Sequence, residues 1–142
     1  MKKIFLILAL LNVIACQDET TDKTPQAPNV YQGVFLDGNN AVEVYVQEYQ
    51  DNKIQNLKVK LIRAAGKIVS AQLITGDAEI LSDYNAQYGT DYKLLPTDKY
   101  SIDENAIFNT YETETPIDIT ISELTFPNNE VYALPIQIRG RN

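Results

Sequence analysis

Glu112 and Glu114, in the stretch YETET, stand two residues apart. On a β-strand that spacing puts both carboxylates on one side. Asp98, Asp103 and Glu104 crowd a nearby turn. Paired carboxylates are the tools of glycoside hydrolysis, where an apolar pocket raises one pKa to make an acid while its neighbour stays ionised. These stretches are polar and turn-rich, with neither pocket nor cleft legible, so the acids read as a solvated face. Composition excludes other chemistries: with no histidine and one cysteine, Ser-His and Cys-His arrangements and the usual zinc sites cannot be built. DKYSIDEN lacks the alternating acids and central glycine of a calcium loop, and no glycine-rich phosphate loop is present. The expectation is a chain that is not an enzyme and carries no catalytic residue, metal or cofactor.

Binding chemistry is left to aromatic rings. The chain has nine tyrosines and no tryptophan, and a tyrosine offers a flat apolar face with a polar tip. Tyr31, Tyr45, Tyr49 and Tyr111 lie in polar contexts or opposite an apolar strand face, and are the candidates for glycan contact. Tyr84 and Tyr88 fall instead on one face of a helical repeat with Ile80 and Leu81. Tyr92 and Tyr100 flank a Leu95-Pro96 turn, so this second group is expected to pack rather than to greet a ligand.

The two tyrosine groups belong to a chain with a marked start. Lys2 and Lys3 precede an apolar run, Ile4 to Leu11, and VIAC closes the segment at Cys16. A transmembrane helix needs about 20 apolar residues, and this run is too short, so it reads as a secretory leader over residues 1–15. Val13 to Cys16 resemble a lipoprotein lipobox, which makes Cys16 the lipid attachment point and the partner a membrane reached through that anchor. Two or three acyl chains, at about 0.8 kcal/mol per buried methylene, would hold it there. Residues 16–29 form an acidic, proline-containing tether of low hydrophobicity. Its acids Asp18, Glu19 and Asp22 resemble an export signal to the outer face of the outer membrane, so the expected location is an outer-membrane lipoprotein at the cell surface. Removing residues 1–15 leaves ten basic against 19 acidic residues, a charge of −9, which offers nothing to a phosphate backbone and argues against nucleic acid as a partner.

Residues 30–142 read as one β-sandwich domain. AVEVYVQEY alternates Val42, Val44 and Val46 against Glu43, Tyr45 and Gln47, and Asp37 to Asn40 before it supply a hairpin corner. Leu57, Val59 and Leu61 alternate in the next run, and the AAGK turn predicts antiparallel pairing with IVSAQLIT. Asp77 can cap a short helix that Gly89 ends. Short strands follow at Tyr100 to Ile102 and Ala106 to Phe108, then Ile117, Ile119 and Ile121 share one face. In VYALPIQI, Pro135 predicts an edge strand, or one whose proline nitrogen faces away from the ladder. About seven strands and one short helix predict an all-β, immunoglobulin-like sandwich.

DYNAQYGTDYKLLPTDKYSI, the isoleucine strand and VYALPIQI together resemble a Bacteroidetes lipoprotein domain of unknown function. That domain is found as the N-terminal module of surface lipoproteins similar to endo-β-N-acetylglucosaminidases. The shared pattern falls on Tyr84, Asn85, Gly89, Thr90, Tyr92, Leu95, Pro96, Tyr100, Tyr132, Leu134, Pro135 and Ile136. Asn109 stands where relatives usually have glycine. The resemblance implies an immunoglobulin-like sandwich, a connection to surface glycans and no catalytic residues in this domain, since relatives commonly continue beyond the last strand into a further module. Three functions follow in order: a scaffold, glycan-binding or adhesion module; a spacer or assembly partner of a separate glycan-processing protein; and, last, a glycoside hydrolase.

Overall fold

A computed structural model describes residues 2–8, 34–36 and 41–141 of the 142. Cys16, the tether, Tyr31 and the Asp37–Asn40 corner lie outside the described residues. Ten strands, one α-helix and two short 3-10 turns build two sheets: β1 (Lys2–Leu8), β2 (Val34–Leu36), β3 (Ala41–Val46), β4 (Asn52–Leu61), β5 (Val69–Thr75), α1 (Ala78–Tyr88), β6 (Lys93–Leu94), β7 (Tyr100–Ile102), β8 (Asn105–Phe108), β9 (Glu114–Ile121) and β10 (Tyr132–Arg141). The first sheet runs β3-β1-β10-β5-β8, with β6 also beside β10, and the second runs β2-β4-β9-β7. The all-β sandwich with one short helix agrees with the sequence; the described residues form ten strands where about seven were expected.

Alternation explains the second sheet. Leu57, Val59 and Leu61 of β4 and Ile117, Ile119 and Ile121 of β9 are buried, and Ile117 stands opposite Leu57 in an antiparallel register. Their faces meet Ile4, Leu6, Val46, Ala71, Leu73, Phe108, Leu134 and Ile136 from the first sheet in one core. Each such fully buried side chain contributes about 1.5–3 kcal/mol.

The centre of the first sheet is covered twice. Ile7, Ala133 and Leu81 form a second buried cluster under α1, with Phe5, Tyr84, Tyr92 and Leu94 packed on it. β1 and β10 are therefore buried on both faces and read as near-continuous apolar runs. Lys2–Leu8, which fall within the leader expected over residues 1–15, occupy a central strand, antiparallel to β3 and parallel to β10.

Three expectations about pairing change. β4 and β5 do not form a hairpin: they belong to opposite sheets, and the seven residues 62–68 around the AAGK turn cross the sandwich, whose sheets pack about 10 Å apart. The strands flanking Asp37–Asn40 likewise lie in different sheets, since Val34 pairs with Leu61 of β4. β10 is central, not an edge. Pro135 stands between its last pair with β6, at Ala133, and its first with β5, at Ile136, so the missing N–H falls where the strand changes partner. The Pro135 carbonyl still accepts from the Gly76 amide at 3.0 Å.

Candidate functional site

The tyrosines expected to pack divide by depth. Asp77 caps α1, its carboxylate accepting from the Glu79 and Ile80 amides, and Gly89 ends the helix with φ +65°. Asn85 then ties the helix to β6: its Oδ1 accepts from the Thr90 hydroxyl at 2.7 Å and the Tyr92 amide at 3.1 Å, and its Nδ2 donates to the Tyr92 carbonyl at 3.0 Å. Tyr92 stacks on Phe5 with centroids 4.4 Å apart, and Tyr84 lies 6.1 Å from Tyr92. Burial pushes the phenols of Tyr84 and Tyr92 above their ordinary pKa. Tyr100 shares a hydrogen bond of 3.0 Å with Thr75. Tyr88 departs from the expectation: it is 50% exposed, touching Tyr84 from the rim.

The other candidates face solvent. Tyr45 on β3 is 52% exposed and stands over an open groove of about 450 Å³ between β3 and the first half of β4. β3 is the end strand of its sheet, and β2 covers β4 only from Val59 to Leu61, so the groove runs between two open strand edges. Its polar lining comes from Glu43, Tyr45, Asn52, Lys53, Gln55 and Asn56. The β4–β9 register shifts between Ile54 and Leu57, which places Gln55 and Asn56 on an irregularity facing the groove. Asn52 fastens the preceding turn, accepting from the Gln47 amide and donating to the Gln47 and Gln50 carbonyls. Sequence reasoning named Tyr45 but missed its amide neighbours, because nothing in the order of residues announces the bulge.

Tyr45 donates to Glu43 at 3.1 Å. The Lys3 ammonium lies 5.6 Å from the Tyr45 ring centre and 3.8 Å from the Glu43 carboxylate. The Tyr45 hydroxyl, followed by the Glu43 charge, raises the Lys3 pKa.

Tyr49 and Tyr111 are 76% and 74% exposed but do not line the groove. Each occupies a turn with a left-handed backbone, φ +64° and +66°, which is unusual for a bulky side chain. The paired carboxylates are also elsewhere. Glu112 accepts from the amide and side chain of Asn109, both at 3.0 Å. Glu114 pairs with Lys58 at 3.0 Å and Lys60 at 3.3 Å. Those two ammonium groups hold its pKa below the ordinary value, the reverse of what a general acid requires. Among the described residues, no group of three or more acids or cysteines is placed to hold a metal, and no helix is long and apolar enough to cross a membrane.

Two solved structures from Bacteroides species are similar to this chain. A candidate carbohydrate-binding protein of Bacteroides ovatus superposes with a TM-score of 0.58 at 20% identity, over 68% of this chain and 28% of that one. A two-domain protein of unknown function from Bacteroides fragilis gives a TM-score of 0.48 at 16% identity, over 70% and 32%. The chain thus spans about a third or less of the length of either. The search of curated proteins returned no match. A family model described as "-like, N-terminal domain" matches residues 26–142, well over half of the sequence, and the chain belongs to that family of N-terminal domains.

Proposed function

We propose that this is a non-enzymatic glycan-binding module of the cell envelope, held at the outer membrane by lipid on Cys16 and facing outward, with the groove beside Tyr45 as its sugar site. The observation that carries the reading is one exposed aromatic face beside a carboxylate, an ammonium and three side-chain amides in a single groove. A sugar ring presents C–H faces to an aromatic and hydroxyls to planar polar groups, which is what this lining supplies. Likeness of fold to a candidate carbohydrate-binding protein supports the same direction. The motif resemblance to modules of endo-β-N-acetylglucosaminidase-like lipoproteins points toward glycans containing N-acetylglucosamine. The test is a glycan panel probed with the processed protein: retention of a defined sugar class supports the reading, and no retained ligand at millimolar sugar overturns it.

A second reading, an assembly partner for a glycan-processing protein, has its own support. Ile107 on the end strand β8 is exposed, and so is Ile68, just before the neighbouring strand β5. Unpaired strand edges with apolar side chains suit pairing with another chain. Under that reading Ile107→Asp abolishes partner binding and leaves sugar binding intact.

A further inference from the structure

β1 is the most deeply embedded strand that lies outside the family's own boundaries. Ile4 and Leu6 are fully buried in the main core, Ile7 is buried in the cluster under α1, and the strand is flanked by β3 and β10. Yet the family match begins at residue 26, so the domain that relatives share does not contain this strand, and the leader reading removes it. An empty slot between β3 and β10 would leave two ladders unpaired and two apolar faces open to water, which a folded domain does not tolerate.

We propose that the place of β1 is a strand-acceptor slot which, once the leader is cut away before Cys16, is taken by the chain's own segment 30–36, folded back as a hairpin onto β3. The inference rests on the leader reading. Three observations favour this occupant over a strand from elsewhere. The first is direction. β1 runs antiparallel to β3, and a strand joined to the start of β3 by a tight turn must do the same.

The second is register. Asp37-Gly38-Asn39-Asn40 carries the glycine-asparagine centre of a two-residue hairpin, and closing it between Asp37 and Asn40 sets Leu36 opposite Ala41. Ile7 pairs with Ala41, Leu6 with Val42 and Phe5 with Glu43. Leu36, Phe35 and Val34 then inherit those three places. Of those places, that of Leu6 lies in the main core and those of Phe5 and Ile7 in the cluster with Leu81 and Tyr92.

The third is proximity. Four residues separate the segment from β3, so it competes at high effective concentration, and what it gives up is a three-residue pairing at the end of the second sheet. Gly33 falls where Ile4 stood, so the replacement fills the core less completely than the leader does. Gln32 falls where Lys3 stood, opposite Tyr45. The ammonium over the Tyr45 ring is thereby exchanged for an amide, and maturation removes the cation from that ring.

The test uses the full chain produced in a Gram-negative host that processes lipoproteins and extracted from its membranes, with the first residue of the product read by mass spectrometry. Val34→Cys is combined with Glu43→Cys in one protein and with Leu61→Cys in another, and disulfides are mapped after mild oxidation. The proposal predicts that chains beginning at Cys16 form the 34–43 bridge within one molecule and not the 34–61 bridge. A 34–61 bridge in processed chains leaves β2 in the second sheet and overturns the proposal. A 34–43 bridge between two molecules means that a second copy fills the slot, and overturns it too. A product that still begins at Met1 refutes the leader reading itself, and the inference falls with it. Hydrogen exchange on the processed wild-type chain gives a measurement free of substitutions: segment 30–36 and both edges of β3 and β10 facing the slot are slow to exchange if the hairpin forms, and fast exchange along those edges contradicts it.

Discussion

The second sheet keeps one face in the core and one in water, whereas the centre of the first sheet is covered on one side by that sheet and on the other by α1. The difference shows in the side chains. Lys58 and Lys60 alternate with buried Leu57, Val59 and Leu61 on β4, while Ala133, Leu134, Pro135 and Ile136 are buried in succession on β10. A strand with one wet face carries its own orientation in the period of two; a strand with two dry faces carries none.

The contrast can be broken by substitution. Ile119→Ala in the second sheet and Leu134→Ala in the first remove fully buried side chains from the shared core, and each is expected to cost about 3–5 kcal/mol in urea unfolding. Unequal losses would mean that the two sheets do not share one core. Leu81→Ala empties only the cluster under α1, whose Tyr84 and Tyr92 are half-buried and able to relax, so its cost should be nearer about 2 kcal/mol. A loss matching that of Leu134→Ala would make the helix side as much a core as the interior.

Asn85→Ala tests what fastens the helix side. Three hydrogen bonds to Thr90 and Tyr92 vanish with the side chain, at an expected cost of about 1–3 kcal/mol. Protease cleavage in residues 89–95 should rise with it. The smallest effect belongs to the wet face. Glu114 has a depressed pKa in the folded chain, so its pairing with Lys58 and Lys60 stabilises above the unfolded carboxylate pKa and fades as pH falls through the lower folded value. Glu114→Gln should therefore narrow the stability difference between neutral and acid pH only slightly, and added salt should hide the change.

What was legible in the sequence follows the same division. Ile117, Ile119 and Ile121, the Asp77 cap and the Gly89 stop were readable because local rules fix them. The signature Tyr84-Asn85 with Gly89-Thr90 and Tyr92 was visible as a pattern, and the structure gives its physical cause: Asn85 and Gly89 close the helix and hand the chain to β6. Partner choice was not legible. The AAGK turn suggested a hairpin where the chain crosses between sheets, and Pro135 left open an edge or a nitrogen turned from the ladder where the strand changes neighbour, because pairing depends on segments distant in sequence. The groove was half legible: Tyr45 follows from its place opposite the valines, whereas Gln55 and Asn56 reach the groove through a register shift no pattern reveals.

The proposed sugar site beside Tyr45 is tested most directly by calorimetric titration of a retained glycan into the processed protein, its Tyr45→Ala variant and a Tyr49→Ala control. Losing the stacking face should weaken binding about tenfold or more in Tyr45→Ala, with Tyr49→Ala unchanged. Equal affinity in all three proteins would contradict the assignment of the groove.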